Sequence, residues 1–244
     1  MNQIDATGMH FKDLNDVVRK AWVSGEDITI DNCVGQRYIA AGASGNTVTI
    51  NGTPGNALGA YLDGSKIIVN GNAQDATGDT LNDGAIIIHG NCGDAVGYGM
   101  RGGKIYVEGG AGYRAGIHMK AYKEKLPVLI IGGKAGSFLG EYQAGGLIIV
   151  LGRGCNGEPP VGYFCGTGMH GGRRMFLRCD TPPADLPKQV ICTVDSNEDK
   201  QYIRPYIEEY AAEFGLNADE LLSSNFFMLV PDTKNPYKQL YTHC

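Results

Sequence analysis

Residues 85–103 read AIIIHGNCGDAVGYGMRGG, and the rows around them repeat the same design. TVTINGTPGNALGAYLDG fills 47–64 and KIIVNGNAQDATGDTLNDG fills 66–84. KIYVEGGAGYRAGIHMKA opens at 104, VLIIGGKAGSFLGEYQAGG at 128, and LIIVLGRG at 147. Each row begins with an apolar, largely β-branched run, reaches a glycine, and reaches a second glycine seven residues later. The first series is Gly52, Gly71, Gly90, Gly109, Gly133 and Gly152, in steps of 19, 19, 19, 24 and 19. The second is Gly59, Gly78, Gly97, Gly116 and Gly140. Self-similarity at a fixed period means one small structural unit per row, stacked on its neighbours.

Within the quoted row, Gly97, Gly99 and Gly102 satisfy the dinucleotide-binding spacing G-x-G-x-x-G, but such a loop must follow a strand and open a helix. Here the next element is another strand-like run, Lys104–Val107, and Gly97 belongs to the repeating series, so it is a corner. A row of 19 residues is too short for a strand, a crossover helix and a return, and a propeller blade needs about twice this length. The expected fold is therefore all-β: a single-stranded parallel β-helix of about seven turns over 27–178, with DITIDNCVGQRYIAAGASG (27–45) as a degenerate first turn. Glycine recurs at its corners because tight corners need positive φ.

An open-ended stack must be closed. Phe11, Leu14, Val17, Val18, Ala21 and Trp22 recur at helical spacing, which predicts an N-terminal helical cap within 1–26. After the Pro-rich stretch CDTPPADLPKQ (179–189), VICTV reads as a strand. Tyr202 to Phe214 marks a helical face ending at Gly215, with Pro205 in its first turn or kinking it. ADELLSS, capped by Asn217, predicts a short helix before the extended NFFMLVP. Residues 179–244 thus form a small α/β appendage.

Of the 37 glycines, 34 fall between residues 27 and 172, which concentrates the special backbone in the repeat. Net charge is −5 with no basic stretch, which argues against nucleic acid or an anionic membrane as partner. No leader and no membrane-length apolar run are visible, and seven scattered cysteines read as reduced thiols; the expected location is the cytoplasm. Cys155, Cys165 and His170 make a poor zinc set, for want of a fourth ligand and close spacing. His89 falls at a corner, His10 and His243 near the termini, and no catalytic constellation recurs along the rows. Two rows break the period, with insertions around HMKAYKEKLP and at 152–172. They carry Arg114, His118, Tyr163, Phe164, Met169 and His170, the candidate partner contacts.

The rows, and the stretches GQRYIAA (35–41), GNALGAYLDG (55–64), GEYQAGG (140–146) and GTGMHGG (166–172), resemble the glycine-repeat (GXGXG) domain that closes the large subunit of glutamate synthase. The resemblance implies a right-handed β-helix that binds no cofactor of its own, as a stand-alone subunit of a split enzyme. FMN and the iron–sulfur cluster are then expected on partner subunits, an amidotransferase and an FMN-binding synthase. A homo-oligomer is a further expectation. Ala40 departs from the pattern, standing where a corner glycine is usual. Related repeats occur in formylmethanofuran dehydrogenase and in split enzymes making N-methylglutamate, and a β-helix enzyme in its own right is the reading from another class. The strand runs carry no ladder of Asp, Arg or Lys, which favours the scaffold.

Overall fold

Residues at equal places in successive rows land on one another because the strands pair in parallel, one row apart. The computed structural model describes residues 2–170 and 174–232. Its strands are β1 (Asn2–Asp5), β2 (Ile28–Val34), β3 (Thr47–Thr53), β4 (Asp63–Asn70), β5 (Asp83–Ile88), β6 (Lys104–Val107), β7 (Val128–Ile131), β8 (Leu147–Val150), β9 (Arg174–Arg178), β10 (Val190–Val194) and β11 (Phe226–Pro231). The helices are α1 (Phe11–Val23), α2 (Asn197–Phe214) and α3 (Ala218–Ser223). All strands lie in one 11-stranded sheet, ordered β1 to β9 in sequence and then β11 and β10. Ile67, Ile86, Ile105, Leu129, Ile148 and Met175 stack in one register, all fully buried.

Beside the strands runs a second ladder with an unusual backbone. In each row three alternate residues take left-handed φ: Ala57, Gly59 and Tyr61; Ala76, Gly78 and Thr80; Ala95, Gly97 and Gly99. Arg114, Gly116 and His118, then Phe138, Gly140 and Tyr142, then Phe164, Gly166 and Gly168 continue it. Backbone hydrogen bonds tie each triplet to the next, as in Ala57 N–H to Asp75 O and Ala76 N–H to Asp94 O. The middle residue faces the core. At Gly78, φ is 70° and an added Cβ would lie 2.4 Å from Ile105 Cδ1, so both conformation and space demand glycine. The outer two point away from the core and accept side chains, at about 1–2 kcal/mol of backbone strain each. Ala40 adopts the same left-handed φ, 54°, so the degenerate row keeps the geometry without the glycine. The other glycine series has a different cause. At Gly52 an added Cβ would sit 2.2 Å from the carbonyl oxygen of Cys33 in the preceding row.

These triplets correct the expected all-β, single-stranded parallel β-helix of about seven turns. A segment with left-handed residues at every second position cannot form a strand. Each row therefore contributes one strand to one sheet, while the far side of the rows is joined by isolated bridges such as Ala73–Cys92, Cys92–Ala111 and Ala111–Ala135. The sheet is not closed by strand pairing. It is mixed, since β11 pairs antiparallel with both β9 and β10, and with α2 packed on it the architecture is α/β-like.

Two further differences lie at the ends. The N-terminal segment contributes β1, paired in parallel with β2, before α1 begins. Helix α1 covers the expected range and sends Leu14, Val18 and Ala21 into the main core. At the other end α2 begins at Asn197, so Pro205 lies inside the helix rather than in its first turn. Its Ile203, Ile207, Tyr210 and Ala211 pack on the outer sheet face against Ile87, Tyr106, Ile130, Ile149 and Phe176. This second core explains why β7 and β8 are aliphatic throughout and β5 and β6 end in the continuous apolar runs Ile86-Ile87-Ile88 and Ile105-Tyr106-Val107, while β3 alternates Thr47-Val48-Thr49-Ile50: the former are covered on both faces. Tyr210 donates to Val107 O at 3.1 Å, and Lys66–Glu213 (2.6 Å) and Lys104–Glu209 bridge helix and sheet.

Ser196 and Asp199 form a capping box on α2, and Arg174 pairs with Asp199 at 3.0 Å. Burial pushes the Asp199 carboxyl up, but the Ser196 hydroxyl and amide and the Arg174 guanidinium outweigh it and hold it below the usual carboxylate range. A depressed folded-state pKa stabilises the fold above the unfolded value of 3.8 and loses that contribution as pH falls through the folded value. The melting temperature of Asp199→Asn is expected to lie below wild type at pH 7 and to converge with it in acid. A constant gap across that range would remove Asp199 ionisation from the account.

Candidate functional site

The outward left-handed residues of later rows build an aromatic ridge. Arg114, Phe138 and Phe164 occupy one place in three successive rows, and His118, Tyr142 and Gly168 another, on either side of the buried column Gly116, Gly140 and Gly166. The Arg114 guanidinium lies 5.0 Å over the Phe138 ring, which stacks on Phe164 at 5.0 Å with planes 23° apart. Tyr163 adjoins Phe164 at 6.4 Å. Across the glycine column His118 stacks on Tyr142 at 5.2 Å, nearly parallel at 7°, and meets the edge of Tyr98 at 5.8 Å. Arg114 Nε donates to Glu141 at 3.2 Å, which crosses from one column to the other.

Four candidate contacts from two insertions are thus brought together: Arg114, His118, Tyr163 and Phe164. The other two are not on the ridge surface. Met169 is fully buried, and His170 is half-buried with Nδ1 3.1 Å from Gly168 O and its backbone N–H on Gln143 O. Sequence reasoning missed Tyr98, Phe138, Glu141 and Tyr142. For Phe138 and Tyr142 the signal was present: extending the period from the glycines to the residues two before and two after aligns Arg114 with Phe138 and Phe164, and His118 with Tyr142, whereas Tyr98 and Glu141 follow their glycines by one and fall outside that rule. Tyr163 and Phe164 remain 68% and 53% exposed, and Tyr142 and Tyr98 are exposed as well. Large aromatic faces beside one arginine are the composition of a protein-binding surface. Of the lysines in the first insertion, Lys125 turns back to Asp83 at 3.0 Å and Asp63 at 3.6 Å.

The remaining candidates divide. Cys165 is buried beside Met175, with its thiol pushed up to about 12 by burial, so it leaves the zinc set. Among the described residues no group of three or more His, Cys, Asp or Glu is placed to hold a metal ion. Cys33, Cys92 and Cys179 are buried as well, and no disulfide is present among the described residues. His89 lies at a corner as expected, in a shallow groove of about 580 Å³ with Asn91, Glu108 and Arg153. Its Nδ1 is 3.7 Å from Glu108, and its ring meets the edge of Phe214 at 5.1 Å. Gly171, Gly172 and His243 lie outside the described residues. No described helix is long and apolar enough to cross a membrane.

Three comparisons bear on this geometry. A chain of the formyltransferase/hydrolase complex (FhcABCD) from Methylorubrum extorquens, solved in complex with methylofuran, superposes with a TM-score of 0.60 over 84% of this chain and 73% of that one. At 20% identity that likeness concerns the fold alone. Uncharacterized protein MJ1350 of Methanocaldococcus jannaschii is 43% identical over 250 residues, spanning 98% of this chain and 95% of that protein. The family model described as the GXGXG motif matches residues 25–232, the span that holds every left-handed triplet and every strand of the sheet but β1, and the chain belongs to that family.

Proposed function

We propose that this chain is a non-catalytic structural subunit of a split glutamate synthase. It holds an amidotransferase subunit and an FMN-binding synthase subunit in register, so that ammonia released at one site reaches the next without escaping to water. FMN and the iron–sulfur cluster reside on the partners, and this chain binds neither. The observation that carries the reading is the aromatic ridge, where side chains from two insertions form one exposed surface around Arg114. Membership of the GXGXG family supports it, and so do the stretches resembling the glutamate synthase domain. The similar chain in the formyltransferase/hydrolase structure belongs to a complex, which supports work in company.

Co-expressed with those two subunits, the chain is expected to co-purify with both. The double variant Arg114→Glu, Phe164→Ala is expected to weaken the association about thirtyfold or more, the loss typical of an interface hot spot. Its melting is expected to stay near wild type, since Phe164 is half exposed and Arg114 is exposed. The chain alone is expected to be colourless, without flavin absorbance at about 450 nm, and without glutaminase activity. Co-purification with formyltransferase subunits instead would transfer the scaffold role to that kind of complex. Undiminished binding by the double variant would remove the ridge from the interface.

A further inference from the structure

The two edges of the sheet differ. At one end β1 carries Asp5, whose carboxylate accepts from Thr7 and Asn32, and Gln3, which donates to Asp31; this edge is polar and charged. At the other end β10 reads Val190-Ile191-Cys192-Thr193-Val194, with no charge and no proline. Ile191 is 41% and Val194 61% exposed, so the described residues leave this strand uncovered. An uncharged, largely apolar edge is what folded proteins ordinarily guard against, because it invites another strand.

The backbone of β10 shows which groups are free. Asp195 N–H donates to Phe226 O, and Gln189 O accepts from Asp232 N–H, both across to β11. In an antiparallel pair alternate residues turn both groups to the same neighbour, so Ile191 and Thr193 also face β11. Cys192 and Val194 then turn N–H and C=O outward. Val190 turns out its C=O, while its N–H is held by Pro187 O. We propose that β10 is a homodimer interface, pairing antiparallel with β10 of a second copy about a two-fold axis at Cys192.

The inventory fits a second copy because it is self-complementary. With Cys192 opposite its symmetry mate, the two cysteines exchange both hydrogen bonds. Val194 N–H then meets the outward C=O of the partner's Val190, and the reciprocal pair forms by symmetry. The Val190 N–H, already used, is not asked for. Ile191 lies opposite the partner's Thr193, a β-branched pair on one face, and no like charges meet. A perpendicular two-fold requires one residue to oppose itself, which this register satisfies. The inference is independent of the glutamate synthase reading, since it concerns the end of the sheet away from β1 and not the ridge.

Sedimentation velocity on the full chain, from low to high micromolar, tests it. Wild type is expected to shift to twice the monomer mass with concentration. Cys192→Pro removes an outward N–H that no described strand uses, and Val194→Lys adds a guarding charge; each is expected to weaken dimerisation about tenfold or more. Both should melt near wild type, and Val194→Lys serves alone if the proline disturbs folding. A short bis-maleimide is expected to give a covalent dimer that Cys192→Ser abolishes. Monomeric wild type throughout, or dimerisation unaffected by Val194→Lys, overturns the proposal. So does protection of the Cys192 and Val194 amides from exchange in a monomeric sample, which would assign the edge to another segment of the chain.

Discussion

Replacing Gly78 by valine is expected to cost about 3–4 kcal/mol, combining left-handed strain of about 1–2 kcal/mol with overpacking of about 1–3 kcal/mol. The strain follows from φ of 70°, and the overpacking from the 2.4 Å between an added Cβ and Ile105 Cδ1. In a chain of 244 residues that lowers the melting temperature by about 10 °C. The other positions separate the two causes. At Gly97 φ is 69° but the nearest atom, Met100 Sδ, is 3.5 Å away, so valine there is expected to cost less. Gly8 lies outside the repeat yet shares a left-handed φ of 67° with nothing within 4 Å, so Gly8→Ala reports strain alone, about 1 kcal/mol. Thermal melts that place all three variants together would show that core contact plays no part in the choice of glycine.

Ile207→Asp is expected to be the most damaging single change to the C-terminal segment, at about 4 kcal/mol or more. It removes a fully buried side chain and sets a carboxylate with no partner against apolar strands. Helix α2 should leave the sheet and uncover Ile87, Tyr106, Ile130, Ile149 and Phe176. Limited proteolysis should then cut within residues 197–223, which are expected to resist cleavage in the wild type, and helical circular dichroism should fall. By contrast Glu213→Gln breaks the half-exposed pair with Lys66 and is expected to cost less than about 1 kcal/mol. Burial of the apolar helix face holds α2 in place, and the ion pairs only set its position. An Ile207→Asp protein that melts and resists protease like wild type would show that burial of this face does not hold α2 in place.

The period, the two glycine series, the in-register parallel strands and the helices at 11–23 and near 202–214 were all legible in the chain before any fold was known. All of these are short-range signals, because a 19-residue repeat and an amphipathic face are written in neighbouring residues. The sequence also held the contrast between alternating Thr47-Val48-Thr49-Ile50 and continuous Leu147-Ile148-Ile149-Val150, which says that the later strands are covered twice. What covers them was settled by packing at long range, since nothing local to α2 names the face on which it lands. Packing likewise decided that each row forms one strand and one left-handed triplet rather than a closed turn. That choice is made between rows, where the Ile105 methyl meets Gly78 and each triplet bonds to the next. The ridge has the same origin: Arg114, Phe138 and Phe164 are 24 and 26 residues apart, and only stacking brings their side chains within reach.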